Sequence, residues 1–236
     1  MNDNPDKTSM TDRTLRLAVF DCDGTLVDSL GMIAAAVGEA FDAEGLAPPP
    51  SREVRRVIGL PLIEALDRVA PEGANRERLR EGYKAAYHRL VADPAMVEPL
   101  YEGALGALDA LTADGVLLGV ATGKGRTGLE RVLELHDIAE RFVTLKTNDD
   151  GPGKPNPHML QAAMAETGVG PEQTVMIGDT TFDILMAANA GVAAIGVTWG
   201  YHGEAELQAA GASALVGAFK EVPPAFDRLT GRRTCD

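Results

Sequence analysis

Acids, a lysine and small polar residues recur in four short stretches whose spacing could support chemistry. The run VFDCDGTLVDS, Val19 to Ser29, carries Asp21, Asp23, Thr25 and Asp28 directly after an apolar stretch. Thr122, Gly123 and Lys124 close a second apolar stretch, Lys154 stands in the loop sequence GPGKPNP, and Asp179 and Asp183 follow another apolar stretch in GDTTFD. Carboxylates gathered in a low-dielectric crevice repel one another unless they are protonated or share a divalent cation. A hard, oxygen-seeking ion such as Mg²⁺ is the simplest solution. A lysine and a threonine beside such an ion suggest that the remaining ligand is a phosphoryl group.

These residues can act together only if the fold collects them. The runs LRLAVFD, VLLGVAT, RFVTLKT, TVMIGD and AAIGVTW read as buried parallel strands, each closing on polar residues or glycine. Helical spacing lies between most of them. TGLERVLELHDIAE places Leu129, Val132, Leu133 and Leu135 on one buried helix face, and HMLQAAMAETG ends on Gly168, which suits a C-cap. Alternating strand and helix predicts an α/β fold with a doubly wound, Rossmann-like parallel sheet, where ligands sit beyond the carboxyl ends of the strands. The first two strands are separated by a long stretch with no convincing strand. It reads as helices in GMIAAAVGEAFDAEG, SREVRRVIGLPLIEALDRVA and RERLREGYKAAYHRLVAD, separated by proline and glycine. So long a connection predicts an inserted α-helical cap over residues 30–99, with the core formed by 15–29 and 100–236 and a flexible tail over 1–14.

Composition limits the partners. The chain has 236 residues, 45% of them hydrophobic, enough to bury one full core and a smaller second one. Its formal charge of −13, with no basic patch, argues against nucleic acid and anionic membrane surfaces. Cys22 and Cys235 do not suggest a disulfide framework, and a reducing compartment fits. No apolar run is long enough to span a membrane, and MNDNPDKTSMTDR has neither the basic start nor the apolar centre of a signal peptide. The expectation is a cytoplasmic protein, monomeric or homodimeric, acting on a small phosphorylated metabolite.

Taken together, DCDGTLVDS, the strand-ending VATG, the lysine of GKPNP, and GDTTFD resemble, in order and spacing, the four motifs of the haloacid dehalogenase-like phosphohydrolases. The likeness runs from about Leu15 to Val216 and includes a helical cap after the first motif, as in the phosphoglycolate phosphatase-like branch. It implies that Asp21 is a nucleophile forming an aspartyl-phosphate, and that Asp23 protonates the leaving oxygen and then deprotonates the hydrolytic water. It implies a Mg²⁺ held by the Asp21 side chain, the Asp23 backbone carbonyl and the Asp179 carboxylate, with Asp183 holding a metal-bound water. Thr122 and Gly123 would bind phosphoryl oxygens, and Lys154 would offset the charge of nucleophile and phosphate. Gly59, Leu60 and Pro61 resemble the cap loop that faces the catalytic acids, although a kink between two helices explains the same residues.

The likeness also bears on the reaction. Dehalogenases of this fold lack an acid where Asp23 stands, and phosphonate hydrolases carry a small residue there. Mutases tend to carry a histidine early in the linker and a basic residue in the cap loop, and SLGMIAAAV and IGLPL have neither. Phosphate esters follow, with 2-phosphoglycolate first and pyrophosphate, sugar phosphates or nucleotides behind it.

Simpler roles compete at several positions. Asp28 before a helical pattern suits an N-cap better than an acid of the site. Thr25 could close a tight turn or shape the acid loop. Lys124 and Arg126 read as loop charges near the mouth, His158 as a helix start, and His88, His136 and His202 lack metal-ligand spacing. Cys22 lies between the two acids, but strand alternation turns it away from them into packing. A rival from another class is a dinucleotide-binding turn, because Gly123, Gly125 and Gly128 spell G-x-G-x-x-G between strand and helix, with Asp149 about twenty residues on. That reading leaves the carboxylates and Lys154 unexplained.

Overall fold

A computed structural model of the chain describes residues 14–93 and 95–231. All of the expected tail except Thr14 lies outside the described residues, as does Cys235. In chain order the elements are β1 Arg16–Phe20, α1 Leu30–Ala43, α2 Ser51–Val57, α3 Leu62–Val69, α4 Arg76–Leu90, α5 Ala104–Ala113, β2 Val116–Ala121, α6 Arg126–Leu135, β3 Phe142–Lys146, α7 His158–Thr167, β4 Thr174–Gly178, α8 Thr181–Ala190, β5 Ala193–Val197, α9 Glu204–Ala209, β6 Ala214–Val216 and α10 Val222–Leu229. The strands form one parallel sheet in the order β3-β2-β1-β4-β5-β6, the doubly wound α/β fold expected from the alternation.

Strand β1 is central and buried along its whole length. Its alternation divides the core. Ala18 and Phe20, continued by Cys22, pack on one face with Leu108, Leu129, Val132, Leu133 and Phe226; Leu17 and Val19 pack on the other with Met159, Leu160, Ile184 and Ala187. Cys22 therefore is a packing residue, as alternation required. The register pairs Phe20 with Val120 and with Ile177, so the chain leaves β1, β2 and β4 at one level of the sheet.

One expectation needs correcting, the burial of Leu135, and two features left open in the sequence are filled in. The stretch from Ser51 to Ala70 is two helices with the kink that the sequence offered as one reading, because the chain turns at Ile58–Pro61 with Gly59 at φ +98°. Leu135, placed on the buried face of α6, is 51% exposed because it lies in the last turn, past the edge of the core. Strand β6 carries only three residues and showed no pattern of its own. Gly168 does end α7 in the left-handed conformation, at φ +71°.

Helices α1 to α4 surround a small apolar core of their own, built from Val37, Ala40, Phe41, Val54, Leu66 and Leu79. α1 and α4 meet closely where a side chain on Gly82 would come within 3.3 Å of the Ala40 backbone. The two connections to this cap run side by side, with Asp28 N–H donating to the Pro99 carbonyl (2.9 Å) and Tyr101 N–H to that of Leu26 (3.0 Å). Val57 and Leu60 of the cap pack on Phe182 of α8. Across the same seam Arg55 donates to the Gly200 carbonyl, and His202 Nε2 donates to the Arg56 carbonyl at 3.3 Å. No helix among the described residues is long and apolar enough to cross a membrane.

Candidate active site

The level exit of β1 and β4 brings Asp21 and Asp179 together. Asp21 N–H continues the sheet ladder by donating to the Ile177 carbonyl at 2.9 Å. The first turn of α8 adds Asp183, whose Oδ2 accepts from the Thr180 N–H (3.0 Å) and hydroxyl (2.7 Å) in a capping box. Among the described residues, Asp21, Asp179 and Asp183 form the group able to hold a metal, with carboxylate oxygens lying within 4.8 Å of one another. All three are fully buried.

The acids differ in how they are held. Asp21 Oδ1 accepts from the Cys22 N–H at 2.7 Å and lies 2.8 Å from Lys154 Nζ, whereas the buried Oδ2 has no hydrogen-bond partner among the described residues. Asp179 accepts from Thr25 Oγ1 and from the Tyr201 N–H, each at 2.8 Å. Of the two readings of Thr25, shaping the acid loop is the one this contact favours. Gly24 turns that loop at φ +87°, where a side chain would meet Asp179 Oδ2 at 2.3 Å. Lys154 Nζ lies 2.6 Å from Asp183 Oδ1 as well, so one buried ammonium serves two carboxylates.

Burial dominates the electrostatics. It pushes the Asp21 carboxyl up to about 7, with Lys154 pulling the other way and Asp183 adding to the rise. Asp179 is driven well above the usual carboxylate range by burial, then by Asp183 and Asp21. Burial would lower Lys154, but Asp183 and Asp21 outweigh it and hold the ammonium charged.

Asp23 faces away from this triad. Its Oδ1 lies 3.0 Å from Lys124 Nζ, so only its backbone carbonyl is left for the metal role drawn from the resemblance. Thr122, buried at the end of β2, donates through its N–H to the Lys146 carbonyl, and its hydroxyl oxygen accepts from Lys124 N–H at 3.2 Å. Gly123 meets the cap: a side chain there would lie 2.7 Å from the Gly59 carbonyl. Gly59, Leu60 and Pro61 line a cavity of about 530 Å³ between cap and core, together with Asp23, Gly123 and Lys124.

Lys124 overturns its reading as a loop charge near the mouth. Its side chain is 7% exposed and pairs with Asp23 and with Glu98, whose side chain is fully buried. Arg126 is a surface charge, paired with Asp150 at 2.8 Å. Asp28 also needs correction, because Ser29 is the N-cap of α1 and the exposed Asp28 carboxylate accepts instead from Leu30 N–H at 3.3 Å. The glycine fingerprint of the dinucleotide reading is filled by the protein itself. Gly123 seats the cap loop, Gly128 faces the Lys124 stem, and Asp149 accepts from the Arg126 N–H at 2.7 Å.

Sequence reasoning missed Glu98, Tyr87 and Tyr201. The rule that sites form beyond every strand end could have found Tyr201, in TWGYHG after β5. Glu98 and Tyr87 carry no such signal.

Comparison with known proteins agrees with this geometry. Residues 18–197 match the family model described as haloacid dehalogenase-like hydrolase. Over 219 residues the chain is 36% identical to "Probable phosphatase IndB" of Dickeya dadantii, covering 90% of this chain and 94% of that protein. It is 34% identical to a phosphoglycolate phosphatase of Vibrio vulnificus, with 83% and 89% covered. Among solved structures, a hydrolase from Pseudomonas syringae superposes with a TM-score of 0.79 at 28% identity, covering 92% of this chain and 99% of that one. The chain thus belongs to the haloacid dehalogenase-like hydrolases and is a phosphatase of that family, a phosphoric monoester hydrolase.

Proposed function

We propose that the protein is a Mg²⁺-dependent phosphohydrolase of small phosphomonoesters, 2-phosphoglycolate first among them, working through an aspartyl-phosphate on Asp21. The observation that carries this reading is the Asp21 carboxylate. One of its oxygens is fixed by the Cys22 N–H and Lys154, while the other is buried with no hydrogen-bond partner among the described residues. A buried lone pair without a donor needs a cation or an electrophile.

The donor set fits Mg²⁺. It consists of carboxylate oxygens, and lone pairs on the Asp21, Asp179 and Asp183 cluster lie close enough to share one ion. The side chains of Asp21 and Asp179 and the Asp23 carbonyl would hold it, with Asp183 completing the acidic set. Bound there, the ion would supply charge neutralisation and polarisation at the phosphoryl group.

The protein's own groups account for the remaining chemistry. An Asp21 oxygen bonds to phosphorus as the bond from phosphorus to the alcohol oxygen breaks, and Asp23 gives that oxygen a proton. In the second half, Asp23 takes a proton from water, the water oxygen bonds to phosphorus, and the Asp21 carboxylate leaves. Thr122 and Gly123, at the end of β2, bind phosphoryl oxygens. Lys154 offsets charge on the nucleophile and phosphate. Gly59, Leu60 and Pro61 close over the leaving group, excluding water during the first half and limiting substrates to small ones. The relative named phosphoglycolate phosphatase supports the choice of first substrate.

The test is inorganic phosphate released from a panel of phosphomonoesters containing 2-phosphoglycolate, in Mg²⁺ or in chelator, with Asp21→Asn as control. Release that needs Mg²⁺ and is absent from the variant is expected. Full release by Asp21→Asn, or in chelator, overturns the mechanism.

A further inference from the structure

A buried ion cluster lies beside Asp23, outside the carboxylate triad, and joins four parts of the chain. Lys124 Nζ, from the loop after β2, lies 3.0 Å from Asp23 Oδ1, 3.0 Å from Glu98 Oε1 and 3.1 Å from the Tyr87 hydroxyl oxygen. Two of its N–H donors are used by Glu98 and Tyr87, and Asp23 is held as an ion pair. Glu98 belongs to the connection returning from the cap. Its carboxylate also accepts from the Tyr87 hydroxyl at 3.1 Å and from Arg131 at 2.8 Å, and its backbone carbonyl meets His136 Nε2 at 2.7 Å. Tyr87 stands on cap helix α4, so the contact between Lys124 and the cap exists only while α4 is docked.

The loop is built for this lysine. A side chain on Gly128 would lie 3.1 Å from Lys124 Cγ and 3.2 Å from Cδ, so the last glycine of the G-x-G-x-x-G pattern leaves room for the lysine stem. The cluster balances two carboxylates against an ammonium and a guanidinium. Each charge in it therefore faces one of opposite sign. A lysine fixed by its hydrogen bonds to Glu98 and Tyr87 keeps its charge 3.0 Å from the Asp23 carboxylate.

We propose that Lys124, seated by Tyr87 and Glu98, is a positioning residue that holds the Asp23 carboxylate in place for proton transfer, so that docking of the cap completes the acid–base apparatus. This rests on the reading of Asp23 as the group that protonates the leaving oxygen and then deprotonates water.

The test separates proton transfer from phosphoryl transfer. p-Nitrophenolate leaves without a proton, whereas the alkoxide of 2-phosphoglycolate needs one. In Lys124→Met, kcat for 2-phosphoglycolate with Mg²⁺ falls about 100-fold while KM changes less than about threefold. The first-turnover burst of p-nitrophenol from p-nitrophenyl phosphate stays within about threefold, because the attack by Asp21 does not need the proton. Tyr87→Phe removes one hydroxyl and leaves every buried charge paired; it gives the same split at about three- to tenfold and carries the test if Lys124→Met does not fold. Equal loss on both substrates, a change in KM alone, or kcat within twofold in both variants overturns the proposal. Asp23→Asn, run in parallel, tells the two failures apart. If it loses 2-phosphoglycolate turnover while the Lys124 and Tyr87 variants do not, the positioning role alone falls; if it keeps turnover, the acid–base reading falls and takes the proposal with it.

Discussion

Lys154 is buried with no access to water, and its ammonium lies 2.8 Å from Asp21 and 2.6 Å from Asp183. Removing it leaves two carboxylates facing each other in low dielectric, an arrangement whose rupture costs about 3–5 kcal/mol. Lys154→Met is therefore expected to lower the unfolding free energy in urea by about that amount at pH 8, and to cut turnover by orders of magnitude. A variant as stable and active as the parent would contradict this. The acids and Lys154 were legible in the sequence because they recur in a fixed order, the acids at or just after strand ends and the lysine in a glycine- and proline-rich loop. The role of Lys124 was not. A lysine between two glycines looks solvated, and its burial depends on Tyr87 and Glu98, which lie in distant segments with no motif of their own.

At the scale of elements, the cap depends on the close approach of α1 and α4. Gly82 allows it, since a side chain there would press on the Ala40 backbone at 3.3 Å. Gly82→Val should force the helices apart and destabilise the fold by about 1–3 kcal/mol, as overpacking does, while the sheet and its acids stay in place. Urea unfolding measures the loss, and hydrogen exchange should show it concentrated in α1 and α4 rather than in β1. The five longer strands were legible because buried parallel strands read as continuous apolar runs. β6 escaped because three residues carry no period, and the break between α2 and α3 was legible only as a possible kink, because one glycine in helical spacing marks no certain turn. Leu135 shows the limit of periodicity, which gives a face but not where the neighbouring core ends.

For the whole molecule, the proposed metal role of the acidic triad would link stability to both metal and pH. Asp21 is pushed up to about 7 by burial, and Asp179 is raised in the same way, so the folded state holds protons that the unfolded chain has already released. The sign follows directly. In chelator, stability from Asp21 is greatest at low pH and is lost as pH rises from the ordinary carboxylate value through about 7, and Asp179 contributes in the same direction. His202 acts in the opposite sense, because burial lowers it and its contribution is lost as pH falls below about 6.5. A divalent cation bound there would replace the missing protons, so the rise in Tm on adding Mg²⁺ should be larger at pH 8 than at pH 5.5, by about 2–4 °C for each kcal/mol recovered in a chain of this length. Thermal unfolding at the two pH values, in chelator and in Mg²⁺, measures this directly. In Asp21→Asn the group that titrates near 7 is gone, so the pH dependence of the Mg²⁺ effect should shrink while the His202 contribution remains. An Mg²⁺ effect equal at both pH values in the parent protein would mean that the carboxylates do not hold the ion, and the site would then have to balance its charge through Lys154 alone.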